Sequence, residues 1–531
     1  MRKILLAGAL LLFPAAPSDS KERTFQTSDR CLACHNGLTT TSGQDVSIGF
    51  AWRASVMANS SRDPYWQASV RRESIDHPGA QAAIEDECST CHMPISRFEA
   101  KLRGRTGKVF DHLPFDSDKT EGREAEDGVS CSVCHQIAKD RLGTRESFNG
   151  GFLIHAPESK DVHPEYGPFD IEKGNQTIMR TSTGGFRPTE DSHIRDSKLC
   201  ATCHQLYTKA LGPDGKVIGE LPEQMPYLEW LHSDYRDKQT CQACHMPEVK
   251  EPTPISKVLG IAREGLHQHV FVAGNFFLQG MLNRYRDELL VDALPQELHS
   301  AAEATITFLQ EKSARIHIDR VDLVAGRLEA EVFVENSSGH KFPTAYPSRR
   351  AWLHVVVRDA NGRIVFESGA MNRDGSIQGN DNDTDSARFE PHYSEIASSD
   401  QVQIYESILK DPAGHVTTGL LSAVGYLKDN RLLPHGFDKR SADKDIAVYG
   451  GAADDPDFTD AGDRVRYTVE TGSAPGPFRI EVELWYQPIG YRWANNLKLY
   501  NSAPEPKRFT TYYDSMASSA GVIVARAAAT R

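Results

Sequence analysis

Every cysteine in this 531-residue chain belongs to a Cys-x-x-Cys pair, and a histidine directly follows each of the five pairs. In chain order, motifs one to five are Cys31-Cys34-His35, Cys88-Cys91-His92, Cys131-Cys134-His135, Cys200-Cys203-His204 and Cys241-Cys244-His245. Histidine makes up only 20 of the 531 residues. Chance would therefore place it after all of the pairs with a probability of roughly one in ten million, so the pattern requires a chemical explanation.

Covalent haem attachment explains this pattern. In one turn of helix, positions i, i+3 and i+4 lie on one face. The two thiols can bond to the two vinyl groups of one haem, and the histidine ring then reaches the iron as its proximal ligand. A zinc site would need two pairs to converge and leaves the histidines unexplained, whereas a thioredoxin-like redox site needs one pair and a disulfide framework needs no histidine. The sequence therefore predicts five c-type haems.

The N-terminal segment has the layout of a secretory signal peptide. Arg2 and Lys3 precede an apolar run from Ile4 to Phe13, and Ala16 and Ser18 offer small residues for cleavage. We therefore expect residues 1–18 to be removed and the mature chain to be exported to the periplasm. The apolar run is short for a membrane anchor, although an uncleaved anchor is the alternative, and no later run is long enough for a transmembrane helix.

Composition restricts the class of partner. The content of 39% hydrophobic and 25% charged residues is ordinary for a soluble globular protein. A net charge of −13 argues against a nucleic-acid partner. The partners that we expect are redox proteins, membrane-bound ones included.

The periodicity of apolar residues changes along the chain. Segments rich in Gly, Pro, Asp and Ser separate the motifs and predict short helices joined by irregular loops. Helical periodicity follows in 274–290 and 294–314, and period-two alternation then predicts strands in 314–324, 326–338, 351–369 and 478–488. Within the third of these segments, the Asn361-Gly362 pair predicts a two-residue hairpin turn.

The predicted fold class is α+β multidomain. A mostly helical and irregular haem domain is expected over 19–275, followed by a helical linker over 276–313. A β-sandwich-like domain with insertions is expected over 314–531, and it ends in a helix near 512–529.

Each of the five irons needs a sixth ligand or keeps an open position. Histidine can occupy that position, and methionine there raises the reduction potential. The candidates are Met57, His77, His112, His155, His163, His193, His232, His267, His269 and His340. These outnumber the irons, so some must be hydrogen-bonding or surface histidines, and Met57 can instead fill a gap in the core. His340 lies in the predicted β domain, in a Gly- and Pro-rich loop that could reach across to a haem.

A loop in the second half carries oxygen ligands suited to a hard cation. Asp374, Asn380, Asp381, Asp383 and Asp385 supply carboxylate and amide oxygens within a short span. Their spacing differs from that of an EF-hand. The sequence predicts a Ca²⁺ site here, with a solvated acidic loop as the alternative.

The stretches DGVSCSVCHQI, SKLCATCHQLY, TCQACHMP and HQHVFVAGN resemble the multihaem cytochrome c superfamily, in particular the haem domain of the tetrahaem cytochrome c-554 type. The resemblance covers roughly residues 27–275 and implies closely stacked haem pairs that carry electrons. A Trp-x-x-Ser-x-His pattern supplies a distal ligand in that family. The stretch WRASVM places Met57 where that histidine stands, which favours Met57 as a ligand. The stretches GHKFPTAYPSRRAW and DNRLLPHGFDK resemble C-terminal regions fused to such cytochromes.

These features favour an electron carrier between redox partners in the periplasm. One alternative is a reductase or oxidoreductase of a small nitrogen or sulfur compound at one open haem. Another is a docking module of a membrane-associated electron-transfer complex, because the β half is larger than a carrier needs. Pentahaem nitrite reductases share the haem count, but their catalytic motif ends in Lys, whereas all five motifs here end in His. Hydroxylamine oxidoreductases use eight haems, so their count does not match.

Overall fold

The computed structural model describes residues 24–155 and 162–531, so the predicted signal peptide lies outside the described residues. The helices of the described chain are α1 Ser28–Leu32, α2 Ile48–Arg53, α3 Pro64–Asp76, α4 Gln81–His92, α5 Pro94–Leu102, α6 Thr120–Glu126, α7 Cys131–Gln136, α8 Lys173–Thr183, α9 Ser197–His204, α10 Pro226–Leu231, α11 Cys241–His245, α12 Phe276–Arg284, α13 Pro295–Lys312, α14 Asp381–Thr384, α15 Tyr491–Asn496 and α16 Pro504–Met516. In this part of the chain, no helix combines the length and the apolar character needed to cross a bilayer.

The strands lie mainly in the second half. They are β1 His163–Gly167, β2 Phe186–Glu190, β3 Leu206–Leu211, β4 Val217–Gln224, β5 Thr253–Pro254, β6 Ala262–Arg263, β7 Ala314–Val324, β8 Arg327–Asn336, β9 Arg350–Arg358, β10 Ile364–Ser368, β11 Glu395–Ile396, β12 Ile404–Tyr405, β13 Ser407–Lys410, β14 Val416–Thr417, β15 Gly425–Asp429, β16 Asp463–Glu470, β17 Arg479–Gln487 and β18 Val522–Thr530.

Two sheets form the body of the second half. One has the strand order β10-β9-β17-β18, with β12 also paired to β9, and the other has the order β11-β16-β8-β7. Alternate residues of β8 and β16 are buried, as period-two patterning predicts. The buried faces of both sheets contribute to one large apolar core. The predicted mixture of helices and strands is therefore confirmed.

Motifs two to five lie on helices, whereas motif one continues past the end of α1, so that Cys34 and His35 follow Leu32 outside the helix. Motif five fills α11, whose first turn is capped by the Thr240 side chain accepting from the Ala243 N–H. Motif four lies at the C-terminal end of α9. At the N-terminal end of this helix, the Asp196 side chain accepts from the Lys198 N–H. These local hydrogen bonds explain how a single helical turn persists between irregular segments.

The large apolar core crosses from one half of the chain to the other. It contains Tyr65 and Ala68 of α3 together with Phe277 and Leu282 of α12 and the inner residues of both sheets. The rest of the first half has only small clusters, such as that of Leu38, Val46, Val249 and Leu266. The first half therefore depends on something other than side-chain packing to fill its interior.

The end of the chain differs from the prediction. A helix was expected over 512–529, but α16 ends at Met516 and β18 runs antiparallel to β17 from Val522. The run Val522-Ile523-Val524 favours a strand. The alanines that follow have no strong preference for a strand, but the otherwise unpaired edge of β17 supplies hydrogen-bonding partners for their backbone.

The hairpin between β9 and β10 forms, but the prediction of a two-residue turn was wrong. Gly362 has a positive φ of 78°, and Asn361 does not join it in the left-handed region. The Asp359 side chain accepts from the N–H groups of Asn361 and Arg363, and this longer turn removes the need for two left-handed residues.

Candidate functional site

One connected cavity of about 1510 Å³ runs through the first half and reaches the second. It is bordered by the histidine of every motif and by every motif cysteine except Cys34. None of the ten cysteines is paired in a disulfide in this structure. A large cavity lined by apolar side chains, paired thiols and imidazoles fits haem groups attached at the motifs.

The motifs lie close to one another around this cavity, but not in chain order. The thiols that interact are Cys31 with Cys131, Cys91 with Cys203, and Cys200 with Cys241. The Cys134 thiol is also within electrostatic range of Cys203. Motif four therefore adjoins motifs two, three and five, and motif one adjoins motif three.

Four of the five motif histidines are oriented by a backbone carbonyl. Their Nδ1 atoms lie at hydrogen-bonding distance from Ile255 O for His35 (2.6 Å), Ser60 O for His92 (3.0 Å), Tyr166 O for His135 (2.6 Å) and Val272 O for His245 (2.6 Å). An Nδ1–H donated in this way leaves the Nε2 lone pair free for a metal. No such hydrogen bond is recorded for His204 within the described residues.

Burial keeps these imidazoles neutral, which is the form that binds a metal. It lowers the pKa of His92 to about 4 and that of His245 to about 4, with His340 as a further cause for His245. It also lowers the pKa of His35, His135 and His204, helped at His204 by the Arg349 guanidinium.

Two of the distal candidates face a motif histidine at the separation that an intervening iron requires. The ring centres of His135 and His269 are 6.3 Å apart with planes inclined by 19°, and those of His245 and His340 are 6.2 Å apart with planes inclined by 6°. A metal–imidazole nitrogen bond of about 2.0 Å on each side, with the ring centre about 1.1 Å further on, gives about 6.2 Å.

Met57, His267, His269 and His340 are the distal candidates that line the cavity. The Nδ1 atom of His267 lies 2.5 Å from Met246 O, and that of His340 lies 2.9 Å from Lys341 O, so both have a free Nε2. The segment that contains Met57 also supplies Ser60 O to His92 Nδ1.

The other distal candidates lie outside the cavity lining and contact protein groups. His193 Nε2 is 2.8 Å from Ile137 O and its Nδ1 is 3.0 Å from Asp191 Oδ1. The Nε2 atoms of the others meet Ser422 Oγ at 3.3 Å for His77, Ser96 Oγ at 3.0 Å for His112, and Asp140 Oδ2 at 3.1 Å for His155. The rings of His163 and His232 contact Phe186 and Phe437. This geometry gives these six no support as ligands.

A buried charge network fixes the loop that carries His340. Glu229, on α10, accepts from the Lys341 N–H at 3.1 Å and from the Thr344 hydroxyl, and it pairs with Arg431 at 3.0 Å. Arg431 and Lys341 also pair with Asp429, each at 2.8 Å. The network joins the first half to the second at the place where His340 enters the cavity.

Sequence reasoning missed Glu229, because nothing in its neighbours signals burial of a charge. The His340 loop was found by its Gly and Pro content, but its partner across the cavity was not. Arg349 lines the cavity and donates to Thr344 O at 3.0 Å, whereas Arg350 forms a buried pair with Asp383 at 2.8 Å.

The predicted calcium ligands do not converge. Asp383 is engaged by Arg350, and Asp381 pairs with Arg388. The side chains of Asp374, Asn380 and Asp385 accept from the backbone N–H groups of Ser376, Asn382 and Ala387, respectively. Their oxygens stabilise the loop itself, so the structure gives no support to a Ca²⁺ site here.

A different cluster, of His392, Asp455 and Asp463, brings three potential metal-ligating atoms within 4.8 Å of one another. The side-chain amides of Gln403 and Asn430 donate to His392 Nδ1, at 2.9 and 3.1 Å. Both amides are held in this orientation, because their oxygens accept from the Tyr393 and Glu406 N–H groups. The proton of the neutral ring therefore sits on Nε2, facing the two carboxylates, and this arrangement disfavours a metal at Nε2.

Comparison with solved structures shows a structural likeness. A penta-haem cytochrome c552 from Thermochromatium tepidum has a similar solved structure, with a TM-score of 0.52 and 15% identity over 96% of this chain and 99% of that one. The likeness supports a multihaem cytochrome fold and extends over both halves of the chain. No protein-family model and no curated protein matches the sequence.

Proposed function

We propose that this chain is a pentahaem c-type cytochrome that carries electrons between redox partners in the periplasm. The observation that carries the proposal is the single cavity bordered by all five motifs, with the thiols of neighbouring motifs in contact. Bound haem supplies one-electron chemistry, and closely spaced haems allow electrons to pass between them. The penta-haem fold of the similar solved structure supports this assignment.

The contribution of the chain is attachment, axial ligation and burial. We assign His35, His92, His135, His204 and His245 as proximal ligands, and we assign His269 opposite His135 and His340 opposite His245. The Nδ1 hydrogen bonds fix the tautomer of each oriented ring. Burial in an apolar cavity excludes water and tunes the reduction potentials.

Purified mature protein should carry five haems per chain. Mass spectrometry is expected to give a mass above that of the polypeptide by five haem groups, and the reduced protein should show the narrow visible bands of a c-type cytochrome. The reduced protein should also be reoxidised rapidly by a higher-potential redox protein without net turnover of a small substrate. A mass equal to the bare polypeptide would refute haem attachment, and slow reoxidation would refute the carrier role.

His269→Ala should produce one more high-spin haem than the wild type in the oxidised protein, because the iron opposite His135 would lose its second imidazole. The matched control is His193→Ala, since both nitrogens of His193 already have protein partners. Electron paramagnetic resonance separates the two spin states. Equal spectra for the two variants would remove His269 from the ligand set.

Met57→Ala tests the remaining non-histidine candidate. Its cavity-lining position keeps the family-based assignment to one of the irons open. Methionine ligation gives a near-infrared charge-transfer band in the oxidised protein and a higher potential. The band should be lost in Met57→Ala, and its absence from the wild-type spectrum would exclude Met57.

A further inference from the structure

The histidine of motif two has an aromatic partner in face-to-face contact. The Trp66 ring lies parallel to the His92 ring, with the ring centres 4.4 Å apart and the planes inclined by 3°. Two coplanar rings lying side by side could not approach so closely, because their edge atoms would overlap. The indole therefore covers one face of the imidazole, and both side chains line the cavity.

One short segment of chain, residues 60–66, contacts His92 in two ways. Ser60 O lies 3.0 Å from His92 Nδ1, and the Ser60 hydroxyl donates to His92 O at 3.0 Å. Six residues later, Trp66 covers the ring face. The segment thus fixes the tautomer of the imidazole by a hydrogen bond and one of its faces by stacking, although Ser60 and His92 are 32 residues apart in the chain.

Trp66 is itself held in place by its surroundings. It lies in the first turn of α3, where the Asp63 side chain accepts from the Tyr65 N–H at 2.8 Å and from the Trp66 N–H at 3.2 Å. Trp66 is buried in an apolar cluster with Ile84, and Cys88 of motif two packs against the same cluster. An indole packed in this way restricts rotation of the neighbouring imidazole, because turning would drive the imidazole edge into the indole face.

The indole face also acts on the charge of the ligand. Its π-electrons make the face electronegative, and among aromatic side chains tryptophan attracts cations most strongly. An imidazole bound to ferric iron carries more positive charge than one bound to ferrous iron. A stacked indole therefore stabilises the oxidised haem more than the reduced haem, and this difference lowers the reduction potential.

We propose that Trp66 is a positioning residue for the proximal ligand of motif two: it fixes the plane of the His92 imidazole and lowers the reduction potential of the haem attached at Cys88 and Cys91. Trp66 acts through His92 and does not bind the iron. The inference rests on the proposed function and deepens it, because the order of potentials among neighbouring haems sets where an electron resides. The Trp66 contact directs electrons away from motif two.

Trp66→Leu removes the indole face and keeps an apolar side chain in the cluster. The holoprotein is titrated with a reductant and followed by visible and electron paramagnetic resonance spectroscopy. One haem transition should move to higher potential, so that the ratio of reduced to oxidised haem at a fixed applied potential rises roughly two- to tenfold. The g-values of one haem signal should also change, because the imidazole plane is no longer fixed. Trp66→Phe keeps a weaker aromatic face, so its potential should lie between those of the wild type and Trp66→Leu.

Trp485→Leu is the matched control. The Trp485 ring also stacks on another ring, that of Trp352 at 5.8 Å, but it lies on β17 and does not line the cavity. This variant should keep the potentials and g-values of the wild type. Unchanged potentials and g-values in Trp66→Leu, a shift to lower potential, or equal changes in the two leucine variants would each overturn the proposal.

Haem content is measured by mass spectrometry before each titration. A wild-type deficit refutes the proposed function, whereas five haems per chain with unchanged Trp66→Leu spectra refutes only the role of Trp66. If Trp66→Leu does not retain five haems, Trp66→Phe decides, because its potential must still exceed that of the wild type.

Discussion

His340→Ala is expected to convert the haem of motif five from low-spin to high-spin. The His340 ring lies parallel to the His245 ring at 6.2 Å, so its removal leaves one face of that iron without a protein ligand. The high-spin electron paramagnetic resonance signal of the oxidised protein should then rise, relative to the wild type, by about one-fifth of the total iron, and the haem should become accessible to carbon monoxide when reduced.

The control for this variant is His435→Ala, a histidine of the same half whose Nε2 lies 3.0 Å from Glu335. His435 does not line the cavity, so the haem spectrum of this variant should match that of the wild type. If the high-spin fraction of His340→Ala equalled that of the wild type, then the second half would not supply an axial ligand and the parallel ring geometry would have another cause.

Glu229→Gln is expected to lower the free energy of unfolding by about 3–5 kcal/mol, because it leaves Arg431 buried with one carboxylate fewer. Glu229 is fully buried, and its two oxygens serve Arg431, the Lys341 N–H and the Thr344 hydroxyl. Urea denaturation followed by circular dichroism measures the loss. The same variant should also raise the high-spin fraction, because the network holds the loop that carries His340.

Glu470→Gln provides the comparison. Glu470 pairs with Arg327 on the surface at 2.8 Å, with side-chain exposures of 71% and 51%. An exposed pair of this kind contributes about 0–1 kcal/mol, so this variant should unfold almost like the wild type. Equal effects of the two substitutions would show that the buried network is not needed for stability.

Much of the local structure could be predicted from the sequence. Strand β7 spans the residues that period-two alternation predicts, and α13 begins at Pro295 as expected. Both depend on interactions between neighbours in the chain. The prediction failed for 522–530, where a partner strand decides the conformation of an alanine-rich segment.

The sequence alone determined the chemistry of attachment, because two thiols and an imidazole within one helical turn are arranged by local geometry. Only the tertiary structure decided which motifs are neighbours, and that His269 and His340, among ten candidates, face a motif histidine. The physical reason is that a sixth ligand must approach from the opposite side of the cavity. Its identity is therefore set by the packing of distant segments, such as the Glu229 network, and not by residues adjacent in the chain.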